Sequence, residues 1–224
     1  MSDFQQRLQI ELPSPSKMFT PWMTAFLILE IIGFALINYF PDFTLSNLAI
    51  SRSCILQGKI WQFVTHGILE GCWWNLLMDA LVLLFFGSAV EREMKTGPYF
   101  LMWLTVVLNC GILWLLVNIV FGQNIPGLGA ASFAFAQMAA FGIIFRDKKF
   151  FVYLSVIKAQ FVSWIFIGAG IVLSIPFPLF WVWVLGAGVA YVFLKLQKRI
   201  FEGILQGGGG SRGRHRPQGF VDLD

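Results

Sequence analysis

Ser132 stands in Gly127-Leu-Gly-Ala-Ala-Ser-Phe-Ala-Phe135, where it is the only hydroxyl in a run of small and apolar residues. A neutral hydroxyl is a poor nucleophile unless a base within hydrogen-bond reach takes its proton. Histidine is the usual base, and the chain has two, His66 and His215, with none between 67 and 214. His66 reads as a polar side chain near a membrane surface. The two histidines are too far apart to assemble a zinc-type cluster, so neither a metal nor another cofactor is expected. Three charges fall inside apolar segments: Glu30, Asp79 and Lys158. Such charges are costly in a bilayer and are usually paired or functional. Glu30 reads as a protonated carboxyl bonding across to another helix, with an ion-coupled role as the alternative. Lys158 reads as snorkelling to the headgroups. Of the three cysteines, Cys110 reads as packing. Cys54 and Cys72 share a loop and read as separate thiols, a disulfide remaining open if that side is oxidising.

The elements that would carry these residues are membrane helices. Hydrophobic residues make up 57% of the 224 and charged ones 12%, with a mean hydropathy of +0.72, too little polar surface for a water-soluble globule. A span takes about 20 mostly apolar residues. Six windows qualify, at 21–40, 73–90, 98–121, 129–145, 150–174 and 177–197. Backbone groups in lipid must be bonded internally, so the expected fold class is an all-α, six-transmembrane-helix bundle. Residues 1–20 are expected to form a cytoplasmic tail with no cleavable signal, 21–200 the membrane domain, and 206–224 a flexible Gly/Arg-rich basic tail. With the amino terminus inside, 14 of the 16 Lys and Arg residues lie on or near the cytoplasmic side, so both termini are expected there. The net charge of +4 then needs no nucleic-acid partner; the expected contacts are membrane lipids.

Small residues recur where helices must approach closely, at Gly129, Ala130, Ala134 and Gly142, at Gly168-Ala-Gly170, and at Gly186-Ala-Gly188-Val-Ala190. The tryptophans at 61, 73, 74, 164, 181 and 183 read as interfacial anchors. The fourth window, the shortest, is expected to sit centrally.

Several separated motifs occur in a telling order. They are Gly58-Lys-Ile-Trp-Gln-Phe-Val-Thr65, Trp73-Trp-Asn-Leu-Leu-Met-Asp-Ala80 through Gly87, Val90-Glu91 through Gly97, the Ser132 run, Val156-Ile-Lys-Ala159, and Val184-Leu-Gly-Ala-Gly-Val-Ala190. Together they resemble the rhomboid intramembrane serine proteases over roughly residues 58–195. The resemblance implies a six-span bundle with a serine on the fourth span and a histidine on the sixth. It also implies an oxyanion hole helped by an Asn and a His near the start of the second span. Anchoring on Phe135, Ala139, Ala140, Phe141 and Phe145 puts Ala131 at the serine position. Ser132 is then one residue late, a rotation of about 100° around the helix. A slipped alignment that rescues Ser132 puts Phe133 where the family keeps a glycine. The histidine position falls on Val184, the oxyanion Asn on Asp79 and its neighbouring His on Asn75.

All four chemical positions are changed while the scaffold motifs remain. The resemblance thus implies a proteolytically inactive pseudoprotease of a bacterial plasma membrane. It would bind transmembrane segments of client proteins at the gate between the second and fifth spans. Two alternatives stay open. One is an intramembrane endopeptidase with Ser132 as nucleophile and an unidentified base; the other is a transporter using Glu30.

Overall fold

The computed structural model describes residues 19–152, 155–175 and 180–207. Most of both expected tails lies outside the described residues, as do His215 and the turn expected at Pro176–Pro178. Among the described residues the longer helices are α1 (Pro21–Tyr39), α2 (Trp73–Met94), α3 (Thr96–Val120), α4 (Ala130–Ile144), α5 (Ala159–Ser174) and α6 (Phe180–Gly207), with short helical turns between α1 and α2. Four are long and apolar enough to cross a membrane, α6 through its Phe180–Arg199 portion, while α4 and α5 are shorter, with 15 and 16 residues. Large apolar side chains such as Ile31, Leu101, Ile112, Phe161, Ile165 and Val192 are exposed on the flanks of the bundle, where lipid would cover them. The molecule is a multi-pass integral membrane protein.

α1 opens on Pro21, whose missing N–H is no loss in the first turn. The next free donors of that turn, Trp22 N–H and Met23 N–H, are taken by the Glu91 carboxyl of α2 at 3.0 and 2.8 Å. Thr20 Oγ1 donates to the same carboxyl at 2.5 Å. One buried side chain thereby ties the start of α1 to the far end of α2. The chain then breaks at Lys95, a non-glycine residue with φ of 66°, and turns into α3.

Within α2, Leu83–Gly87 winds as a wider π turn. Phe86, in that turn, stands edge-on to Phe141 of α4 (4.8 Å between centroids) and Phe166 of α5 (5.0 Å). The Phe86–Phe166 pair is thus a contact between α2 and α5.

α4 is apolar on every side, the pattern of a helix enclosed by others. Its residues Ala130 through Met138 are all buried, and α2, α3, α5 and α6 all pack against it. At 1.5 Å per residue it is only about 22 Å long. The segment before it is irregular but held by protein: Ile50 and Gly127 exchange backbone hydrogen bonds of 3.3 and 2.7 Å, and Gly129 N–H donates to His66 O at 2.8 Å. Non-helical backbone is tolerated at membrane depth only when enclosed in this way.

The expected window 150–174 is not one helix. Lys149–Val152 (β1) and Ser155–Lys158 (β2) pair antiparallel, with Lys149 opposite Lys158, and α5 starts only at Ala159. Phe150, Phe151, Val152, Val156 and Ile157 are aromatic or β-branched, the residues that suit a pleated ribbon. Hydropathy reads such a run as apolar without distinguishing strand from helix.

Candidate functional site

The approach of α4 to α6 fixes the surroundings of Ser132. A methyl group placed on Gly186 would lie 2.1 Å from Ser132 O, so only glycine allows the two backbones this close. Ser132 is 0% exposed, and its Oγ donates to Gly129 O, one turn back, at 2.5 Å. The Cys110 thiol of α3 is a second hydrogen-bonding neighbour of that side chain and also reaches Val182 O of α6 at 3.5 Å. The hydroxyl thus sits between a carbonyl and a thiol, neither of which is a general base. Ala131 is buried in the same core.

Two neighbouring residues of α6 face different surroundings. Trp183, three residues before Gly186 and so on the same helix face, is buried and donates Nε1–H to Leu128 O at 2.9 Å. It is a strut between α6 and the lead-in to α4, not an interfacial anchor. Val184 instead lines a cavity between α4, α5 and α6. The small-residue faces divide in the same way. Gly142 and Gly186 meet neighbouring helices closely, whereas Gly168 and Gly188 have nothing within 4 Å of a would-be Cβ.

His66 is 2% exposed, buried rather than interfacial, and its ring packs against Gly111 and Gly129, where a Cβ would collide with it. Nδ1 lies 2.9 Å from Gln62 O, which accepts its proton. Burial away from water lowers its pKa to about 4, against the opposite pull of the Gln62 and Phe63 carbonyls, so the imidazole is neutral.

Glu70, which no sequence motif marks, is the organiser of the α2 entrance. Its Oε1 accepts from Gly71 N–H at 2.9 Å, Cys72 N–H at 3.2 Å and Asn75 Nδ2 at 3.3 Å. Its carboxyl takes the backbone N–H groups of the two residues ahead of α2, so it shapes the turn into the helix without capping the helix's own first turn, a role that residue type alone does not signal. Burial nevertheless raises its pKa to about 7, with those three hydrogen bonds pulling the other way. Asn75 is thereby engaged with Glu70. Asp79, one turn further on, is buried with Oδ2 unpartnered, and so is Glu30 with Oε2 unpartnered. Glu30, Glu70 and Asp79 lie within electrostatic reach of one another. Among the described residues no set of His, Cys, Asp and Glu side chains is placed to hold a metal ion. Cys72 and Cys110 are free thiols, and the Cys54 side chain lies outside the described residues.

The Rhomboid domain model matches residues 57–198, well over half of the chain. The chain belongs to the rhomboid family. No curated protein matches it significantly. Within this rhomboid the matched region runs from the loop ahead of α2 to the Lys198 turn of α6, and so takes in Ser132, Trp183, Gly186, His66 and the Glu70–Asn75 pair. Glu30, on α1, lies ahead of it. The structure brings Ser132 against Gly186, and Glu70 against Asn75, but brings His66 to Gly129 through its backbone carbonyl and ring rather than to the serine hydroxyl.

Proposed function

We propose that this rhomboid-like membrane protein is a pseudoprotease that binds transmembrane segments of client proteins and does not cleave them. The carrying observation is the state of Ser132, fully buried with its hydroxyl donated to the Gly129 carbonyl. Nucleophilic attack needs the opposite: an exposed oxygen whose proton passes to a base. The residue that α6 sends toward the lead-in to α4 is Trp183, whose indole is only a donor. The oxyanion side supports the same reading. Asn75 is occupied by Glu70, and Asp79 would repel a developing negative charge if it ionised.

With both termini cytoplasmic, a client helix would engage the α2–α5 side. There Leu81, Phe85, Phe161 and Trp164 are exposed, and the Phe86–Phe166 contact is the seam to be parted. The test pairs two measurements on full-length protein in liposomes containing a model transmembrane substrate. A fluorophosphonate probe should leave Ser132 unlabelled and the substrate intact beside an active control protease. Photo-crosslinkers at Leu81 and Trp164 should capture the substrate helix. Cleavage that disappears in Ser132→Ala would establish an endopeptidase instead.

A further inference from the structure

We propose that the cavity between α4, α5 and α6 is a binding site for an anionic phospholipid, with an acyl chain inside and the phosphate at Arg146 and Lys195. The cavity has a volume of about 720 Å³ and is walled by one stripe from each helix. Ala139 and Gly142 on α4, with Arg146 in the turn that follows it, face Ser163 and Ile167 on α5 and Gly188 on α6. It exists because α5 is drawn onto α4, through Ser163 Oγ donating to Met138 O, while α6 is drawn onto α4 higher up at Gly186. The two flanking helices leave a wedge open below those contacts. Gly188 marks the opening, since an added methyl there would touch nothing.

The wedge is apolar along its length and basic at one end. Arg146 stands in the turn just past α4, and Lys195 and Lys198 end the stripe from α6, with Lys195 Nζ 4.5 Å over the Tyr191 ring. The amino terminus of α5, carrying partial positive charge, opens at the same end beside Gln160. No acidic side chain is among the described residues lining the cavity. Apolar walls under a cationic rim suit an amphiphile with a negative head. The cavity lies among α4, α5 and α6, apart from the Phe86–Phe166 seam between α2 and α5 proposed for a client helix. A flexible acyl chain fits.

Native mass spectrometry of the full-length protein, exchanged into equal amounts of phosphatidylglycerol and phosphatidylcholine with matched chains, tests the assignment. Phosphatidylglycerol should be retained preferentially. Arg146→Gln and Lys195→Gln, both at exposed positions, should each reduce its retention about fivefold. Gly188→Leu should abolish retention by filling the wedge. Equal retention of the two lipids, or undiminished retention in Gly188→Leu, would overturn the proposal. So would inorganic phosphate alone raising the thermal stability as much as the lipid, because the site would then be a phosphate pocket without a chain.

Discussion

Replacing Gly186 with alanine sets the α4–α6 contact against its own control two residues away, at Gly188. At Gly186 the new Cβ would stand 2.1 Å from Ser132 O and 3.0 Å from Ser132 C, where ordinary contact begins at 3.4 Å, a deficit of about 1.3 Å against the oxygen. Both obstructing atoms are backbone, so no rotamer change relieves them. α6 must shift along or away from α4, disturbing the Trp183–Leu128 hydrogen bond on the same face. Overpacking of this kind costs about 1–3 kcal/mol. At Gly188 the same substitution meets open space and recovers the helix propensity glycine lacks, about 0.5–1 kcal/mol. The two alanine variants should therefore separate by roughly 2–4 kcal/mol in opposite directions. Steric-trapping or denaturant-titration measurements in mild detergent or bicelles read that difference directly. Equal stability of the two variants would refute the close α4–α6 approach, and with it the buried setting of Ser132.

Glu91→Ala removes the common acceptor of Thr20, Trp22 and Met23 and should cost about 2–4 kcal/mol, while Glu91→Gln, still able to accept, should cost less; thermal unfolding of the purified protein checks both. Trp183→Phe leaves the Leu128 carbonyl without its donor and should destabilise by about 1–2 kcal/mol, whereas Val184→Ala at the cavity wall should cost less than about 1 kcal/mol in the same assay. Glu70 and His66 impose opposite pH dependences. Above the usual carboxyl value of 4.5 an unfolded Glu70 has lost its proton while the folded one keeps it up to about 7, so its contribution falls as pH rises through that window. An unfolded His66 takes a proton below 6.5 while the folded one does not until about 4, so its contribution rises with pH between those values. Glu70→Gln should leave stability climbing with pH from 4 to 6.5, and a flat profile in that variant would contradict the buried neutral imidazole.

What the sequence made legible follows from what hydropathy measures. The windows 21–40 and 98–121 are nearly the bounds of α1 and α3, because there the apolar stretch and the helix are the same thing. They part company at α6, which continues to Gly207 through Lys195, Lys198 and Arg199: a helix need not end where its burial in lipid does. They part again at Phe150–Ile157, apolar but ribbon-forming. At the site, Ser132 and the Val184 segment lie on α4 and α6, which pack directly against each other. Val184 lines the cavity while its neighbour Trp183 bonds to the lead-in to α4, a one-residue difference on a helix that only the packing displays. The roles of Glu70 and of the π turn that aims Phe86 are not legible in the sequence, since each acts through geometry that residue type alone does not carry.

The backbone bonds joining Ile50 to Gly127 and His66 to Gly129 also bear on how the protein is made. The ribosome releases the first partner of each pair long before the second, and α2 and α3 must both be threaded in between. Until the lead-in to α4 arrives, Ile50 N–H and Ile50 O lack the Gly127 backbone partners they hold in the folded protein. Biogenesis of this protein therefore has a late closing step, in which insertion of the innermost helix completes the earliest-synthesised loop.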